Sequence, residues 1–246
     1  MPLWDGFVRN GFIRLHFMAN VPALEAGQGL PLVIVPGTAE SAEDYTDLLE
    51  ALAPRPCFAL SLRGRGQSSS PMQGYALEDH VSDLESLVKG LRLSRFALMG
   101  YSRGVAYSIG YAALHADQVA GLIIGDYPAH HPAVTPGWVE DFLAAECRGM
   151  PVSERLMRHV AEGLQRDGRE VPLWEALPLI RCPALIMVGG QPGARLTLRD
   201  VERYLQMLPD ARIARFEESD HRLWEPDLGL YIVTVGNFLQ RLDSRR

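Results

Sequence analysis

Cysteine is scarce, no apolar run is long and no block of like charge occurs, and each absence closes off a class of protein. Three cysteines, Cys57, Cys147 and Cys182, stand far apart along 246 residues. An odd, scattered set suggests neither a disulfide framework nor a zinc site. No metal is expected, and the thiols read as buried or half-buried groups in a reducing compartment. No uninterrupted apolar stretch reaches the roughly 18–20 residues a membrane helix requires. The opening segment, MPLWDGFVRNGF, lacks the basic-then-apolar layout of a signal peptide. A cytoplasmic location without a membrane partner follows as the expectation. The formal net charge is −6, and the nearest thing to a basic stripe is Arg63-Gly64-Arg65, two charges in a loop. Nucleic acid is therefore not an expected partner. Nor is a nucleotide cofactor implied, because Gly64 and Gly66 belong to that arginine loop and not to a phosphate cradle after a first strand. No other cofactor is called for.

What is present is a regular alternation. Residues 32–35, 57–62, 96–99, 122–124 and 185–188 are short and almost wholly apolar, with Gly or Pro close by. Strands buried on both faces of a parallel sheet read this way. Residues 212–216 are more amphipathic and suit an edge. Between these runs the apolar period lengthens. Leu77, Val81, Leu84, Val88 and Leu91 recur every three or four residues, as do Leu228, Ile232, Val235, Leu239 and Leu242. Residues 7–17, with Gly11 in the middle, could form an antiparallel hairpin on the sheet edge. The fold class is α/β: a mostly parallel central sheet flanked by helices on both faces, in a single domain spanning 1–246. Residues 127–181 break the rhythm, with three early prolines and helical patches near 139–145 and 153–164. They read as a small helical insertion placed as a lid over a site.

The strongest local signal is Gly100-Tyr101-Ser102-Arg103-Gly104, directly after one apolar run and at the start of a helix-like stretch. A serine in a tight strand–turn–helix projects its hydroxyl above the sheet. The residues two before and two after must be small so that strand and helix can approach. With this pentapeptide in a βαβ pattern, the chain resembles the α/β-hydrolase family, in the branch with a serine nucleophile, over nearly its whole length. Val35-Pro36-Gly37-Thr38 matches the family's loop after the first central strand, with proline where histidine is frequent. The resemblance implies an oxyanion hole made by the backbone N–H groups of Thr38 and Arg103. Residues 62–68 look like the family's Asp-x-Arg-Gly-x-Gly-x-Ser loop, with Ser61 where the aspartate often stands and Arg63 in an architectural role. Ser219-Asp220-His221, after the last strand, puts His221 where the family keeps its base.

The acid departs from the commonest pattern. The loop after residues 184–188 reads Gly189-Gly190-Gln191-Pro192-Gly193-Ala194-Arg195 and holds no carboxylate. Asp126, one strand after the nucleophile's, stands where some branches of the family keep theirs, and it is the expected acid. Asp200 inside the next helix, or no acid at all, are the alternatives; Asp220 is adjacent to the histidine and points elsewhere. Ser102 argues against dehalogenase and epoxide-hydrolase chemistry, which in this family uses an aspartate nucleophile. The expected function is a serine hydrolase of carboxylesterase type, acting on a small or medium ester, lactone or thioester through an acyl-enzyme. Tyr101, Tyr127, Trp138, Phe142 and Trp174 are candidates for an apolar pocket, with helix packing the expected duty of most, and His130 and His131 read either as lining or as ordinary polar loop residues. A non-hydrolytic protein of the same fold (a lyase, a cofactor-free oxygenase or a small-molecule receptor) is the alternative, raised by Pro36 and by the loop without an acid.

Overall fold

A computed structural model describes residues 2–23 and 27–245. The expected strands form one eight-stranded sheet. In chain order they are β1 (Trp4–Asn10), β2 (Ile13–Ala19), β3 (Leu32–Val35), β4 (Cys57–Leu60), β5 (Phe96–Tyr101), β6 (Val119–Gly125), β7 (Ala184–Gly189) and β8 (Ala211–Phe216). Their spatial order is β1-β2-β4-β3-β5-β6-β7-β8. The hairpin β1–β2 turns at Gly11, whose φ of 59° is a conformation that glycine adopts freely, and β2 joins β4 antiparallel. From β4 to β8 every pairing is parallel.

The apolar runs are continuous because both faces are covered. In β3, Val33 and Val35 join one core with α2 (Leu77–Gly90), α3 (Gly104–Leu114) and α7 (Leu198–Met207). Leu32 and Ile34 join the other, with α1 (Thr46–Ala51) and α8 (Leu228–Asp243). This is the period-2 alternation of a strand applied to a sheet with no wet face. β8 lies at the edge and is half exposed, as its mixed sequence indicates.

The insertion lies between β6 and β7. It contains α4 (Trp138–Ala144), α5 (Val152–Arg155) and α6 (Arg158–Asp167). The helical patch expected over 153–164 is broken at Leu156, which adopts an extended backbone. The segment also holds two ribbons of two-residue strands that were too short to read from sequence, His130–His131 with Val171–Pro172 and Glu146–Cys147 with Met150–Pro151. A third apolar cluster, with Val139, Leu143, Val160 and Leu164, seats the insertion on Ala39 and Tyr75 of the sheet domain.

Candidate active site

Parallel strands bring their C-terminal ends to one edge, and the register decides which residues meet there. Tyr101 pairs with Gly125, and Gly125 with Met187. Ser102 and Asp126 are therefore the first residues past adjacent strand ends. Each is anchored by its own amide, which donates to the carbonyl of Gly125 (2.9 Å) and of Met187 (2.9 Å) respectively. Both have positive φ, 52° for Ser102 and 45° for Asp126. A non-glycine residue held there is strained, and tight neighbours hold the serine in place. A Cβ on Gly104 would stand 2.3 Å from the Val35 carbonyl oxygen, and one on Gly100 2.7 Å from that of Gly104. The two glycines of the pentapeptide thus permit the approach of β5, α3 and β3 that forms the elbow.

His221 lies between the two. Its Nε2 is 3.0 Å from Ser102 Oγ, and its Nδ1 is 2.7 Å from Asp126 Oδ2. A carboxylate can only accept, so the Asp126 contact puts the ring proton on Nδ1 and leaves Nε2 a lone pair for the serine hydroxyl. Asp126 is wholly buried. Its charge is met by amides from the loop after β7: Arg195 N donates at 2.8 Å, with longer contacts from Leu196 N (3.3 Å) and Gly189 N (3.4 Å). The Tyr101 hydroxyl donates to the His221 carbonyl (2.7 Å), and its ring stacks on the imidazole at 5.0 Å between centroids. Burial pushes the Tyr101 hydroxyl well above its ordinary pKa, so it remains a neutral donor.

The other acids are engaged elsewhere. Asp200 caps α7 by accepting from the Thr197 amide and hydroxyl, and Asp220 accepts from Arg222. Arg63 is architectural: it donates to the carbonyls of Gly74 and Asp79 and forks onto Asp83.

Gly37 packs against Ser102, since a Cβ there would come within 3.2 Å of Ser102 Cβ. The amides of Thr38 and Arg103 donate to no protein group among the described residues. The Gly37 amide, in contrast, is tied to Glu40 Oε2 at 2.9 Å. Glu40 was not singled out in the sequence. It is 3% exposed by its side chain, takes the Tyr45 hydroxyl (2.7 Å) on the same oxygen, and takes Arg148 Nε on the other at 2.7 Å. Arg148 comes from the ribbon turn of the insertion and also lies over the ring of Trp224, 3.2 Å from its centroid. Burial lowers the Arg148 pKa, and Glu40 together with Tyr45 and Tyr231 outweighs it, so the net shift is upward. The charge partner of Glu40 lies 108 residues away in the chain, and no motif marked Glu40 in the sequence.

Around Ser102 and His221 opens a cleft of about 440 Å³. Tyr101, Tyr127, Trp138 and Phe142 line it, while Trp174 does not; it packs on Tyr204. His131 is buried away from the cleft, donating from Nδ1 to the Arg169 carbonyl, and His130 is not among the lining residues. Cys147 is the thiol of the cleft. Burial, and then Glu40, push its pKa up to about 11, so it is not a thiolate nucleophile at neutral pH. Among the described residues no group of His, Cys, Asp and Glu could hold a metal, and no helix is long and apolar enough to cross a membrane.

Residues 31–145 match the sequence model of the alpha/beta hydrolase fold. That match spans a little under half of the 246 residues, and the fold of the whole chain is that of the α/β hydrolases. Among curated relatives of this hydrolase-fold chain, N-formylmaleamate deformylase of Pseudomonas putida is 27% identical, across 95% of this chain and 96% of its own. The 2-(acetamidomethylene)succinate hydrolase of Mesorhizobium japonicum is 28% identical, across 87% and 90%. Among solved structures, the enol-lactonase of Burkholderia xenovorans superposes with a TM-score of 0.78 at 19% identity, covering 96% of this chain and 100% of that one. At that identity the superposition speaks to the fold alone.

Proposed function

We propose that this chain is a serine hydrolase in which Ser102 is the nucleophile, His221 the general base and Asp126 the carboxylate that orients it. The hydrogen-bonded series Ser102 Oγ, His221 Nε2, His221 Nδ1, Asp126 Oδ2 carries the reading. As Ser102 Oγ bonds to the substrate carbonyl carbon, its proton passes to His221 Nε2, and Asp126 stabilises the imidazolium. The carbonyl oxygen becomes an oxyanion facing the free amides of Thr38 and Arg103, and one such donor is worth about 100- to 1,000-fold in rate. The tetrahedral intermediate collapses, the leaving group takes the proton from His221, and an acyl-enzyme remains. Water, deprotonated by His221, repeats the sequence and releases the acid.

The substrate is a small or medium carboxylic ester, lactone or thioester that enters from solution beneath the insertion, which serves as a partial lid. The cleft volume suits that size. Amides join the class because two of the relatives, by name, are a deformylase of N-formylmaleamate and a hydrolase of 2-(acetamidomethylene)succinate. The protein works in the cytoplasm without metal, cofactor or nucleic acid. A fluorophosphonate probe followed by peptide mass spectrometry tests the reading. Labelling of Ser102 that disappears in His221→Ala supports it; a folded protein that takes no label sinks it in favour of a lyase, oxygenase or receptor.

A further inference from the structure

Four arginines are buried among the described residues, Arg55, Arg63, Arg65 and Arg103, and three of them have evident acceptors. Arg55 pairs with Asp243 and donates to the Leu30 carbonyl. Arg63 forks onto Asp83. Arg65 donates to the carbonyls of Thr38 (2.8 Å) and Arg63 (2.5 Å). Arg103 is 5% exposed, yet no carboxylate or carbonyl pairs with its guanidinium, and its Nη1 is buried without a partner. Arg65, His131 and the Tyr107 hydroxyl, which the guanidinium approaches as a donor, stand close enough to feel its charge, and none of them is an anion at neutral pH. A guanidinium cannot shed its charge, and a buried cation without a counter-ion is costly.

Arg103 follows the nucleophile directly and lines the cleft, with its guanidinium carbon 5.6 Å from the ring centroid of Trp138 in the insertion. The cleft as a whole leans positive on a chain of net charge −6. Its lining includes Arg103, Arg148, Arg195 and Arg222 against Glu40 and Glu146; Arg148 is paired with Glu40, and Arg222 with Asp220 and Glu225, which leaves Arg103 and Arg195 against Glu146. Anions are drawn into such a cleft.

We propose that the Arg103 side chain is an anion subsite of the cleft, which selects substrates carrying a carboxylate a few carbons from the scissile carbonyl. The substrate supplies the anionic acceptor that the protein withholds, and the planar fork suits a carboxylate. This rests on the serine-hydrolase reading and narrows its substrate class.

The test compares phenyl hydrogen glutarate, which ends in a carboxylate, with neutral phenyl pentanoate, in the wild type and in Arg103→Met. The backbone amide at 103 is present in both proteins, so the readout is the ratio of kcat/KM for the two esters and not the absolute rate. The wild type is expected to favour the anionic ester by about 10- to 100-fold, the factor expected of a charge-assisted hydrogen bond, and the variant to lose most of that ratio. No preference in the wild type, or an undiminished ratio in Arg103→Met, overturns the proposal. If neither ester is hydrolysed, fluorophosphonate labelling of Ser102 judges the hydrolase reading separately, and calorimetric titration with glutarate decides the subsite. Binding abolished in Arg103→Met upholds it; absent or equal binding rejects it. Should Arg103→Met not fold, Arg103→Lys keeps the charge without the fork: a ratio reduced several-fold supports the proposal and an unchanged one refutes it.

Discussion

The pair Glu40–Arg148 joins the insertion to the loop that packs against Ser102, and cutting it has a calculable cost. In Arg148→Ala the Glu40 carboxylate, 3% exposed, loses the partner that stood 2.7 Å away. Removing one member of a fully buried pair costs about 3–5 kcal/mol. Arg148 is 17% exposed, and Glu40 keeps its bonds from the Gly37 amide and the Tyr45 hydroxyl, so the low end, about 3 kcal/mol, applies. The stacking on Trp224 is lost as well, adding about 0.5–1 kcal/mol. Urea unfolding of the wild type, Arg148→Ala, Glu40→Gln and the double variant closes a cycle. In Glu40→Gln the side-chain amide retains an oxygen for Gly37 and Tyr45 but no charge to be stranded. The double variant is therefore expected to be less impaired than the sum of the singles by at least about 1.5 kcal/mol. A loss below about 1 kcal/mol in Arg148→Ala, or additivity within about 0.5 kcal/mol, refutes the argument that burial makes this pair matter.

Three further outcomes follow from the site and its supports. Asp126→Asn preserves shape but removes the acceptor that holds the proton on His221 Nδ1; kcat for an activated ester should fall about 10⁴-fold with KM little changed, and a loss under tenfold would assign the acid's role elsewhere. His80 is fully buried, and burial, then Arg65, depress its pKa well below 6.5, with burial moving His131 the same way. The unfolded chain takes up those protons first. Stability is therefore complete above about pH 6.5 and declines as pH falls below it, approaching about 1.4 kcal/mol per pH unit for each histidine. Urea midpoints that stay level between pH 7.5 and 5, or an equal slope in His80→Gln, would contradict this assignment. Gly104→Ala should cost at least about 1–3 kcal/mol because its Cβ meets backbone oxygens at 2.3 and 2.5 Å; Gly236→Ala, in α8 with nothing nearer to its Cβ than Leu52 Cδ2 at 3.6 Å, should cost less, and equal melting temperatures for the two variants would refute the packing argument.

The sheet and its flanking helices were legible because burial on two faces writes itself into composition. The run at 32–35 is β3 residue for residue, and the heptad-like spacing from Leu77 to Leu91 became α2. The elbow was legible for a similar reason, since Gly100 and Gly104 answer to contacts within one strand–turn–helix. Legibility failed where long-range partners decide. The break at Leu156 follows its packing in the cluster that seats the insertion, and propensity alone runs on through it. Trp174 and Trp138 are both large aromatics in the inserted segment. Only contact with Tyr204 in one case, and a place over the cleft in the other, separates packing from lining.

The loop after β7 that lacks a carboxylate has a physical counterpart in the structure. A Cβ on Gly189 would come within 2.2 Å of the Asp220 carbonyl oxygen, and one on Gly190 within 2.6 Å of that of Glu217. The histidine-bearing loop passes directly over the end of β7 and excludes side chains from its first two positions beyond the core of the strand. What that strand end and loop offer the site is backbone: the amides of Gly189, Arg195 and Leu196 all point at Asp126. With the carboxylate on β6 and the amides on β7, a wholly buried charge gains its donors from the neighbouring strand end, and the imidazole approaches from above without competing for the same oxygens' full capacity. Having the carboxylate that meets His221 one strand earlier is therefore coupled to the double glycine: a carboxylate built at 189 or 190 would require the histidine loop to lift, and lifting it would carry His221 away from Ser102.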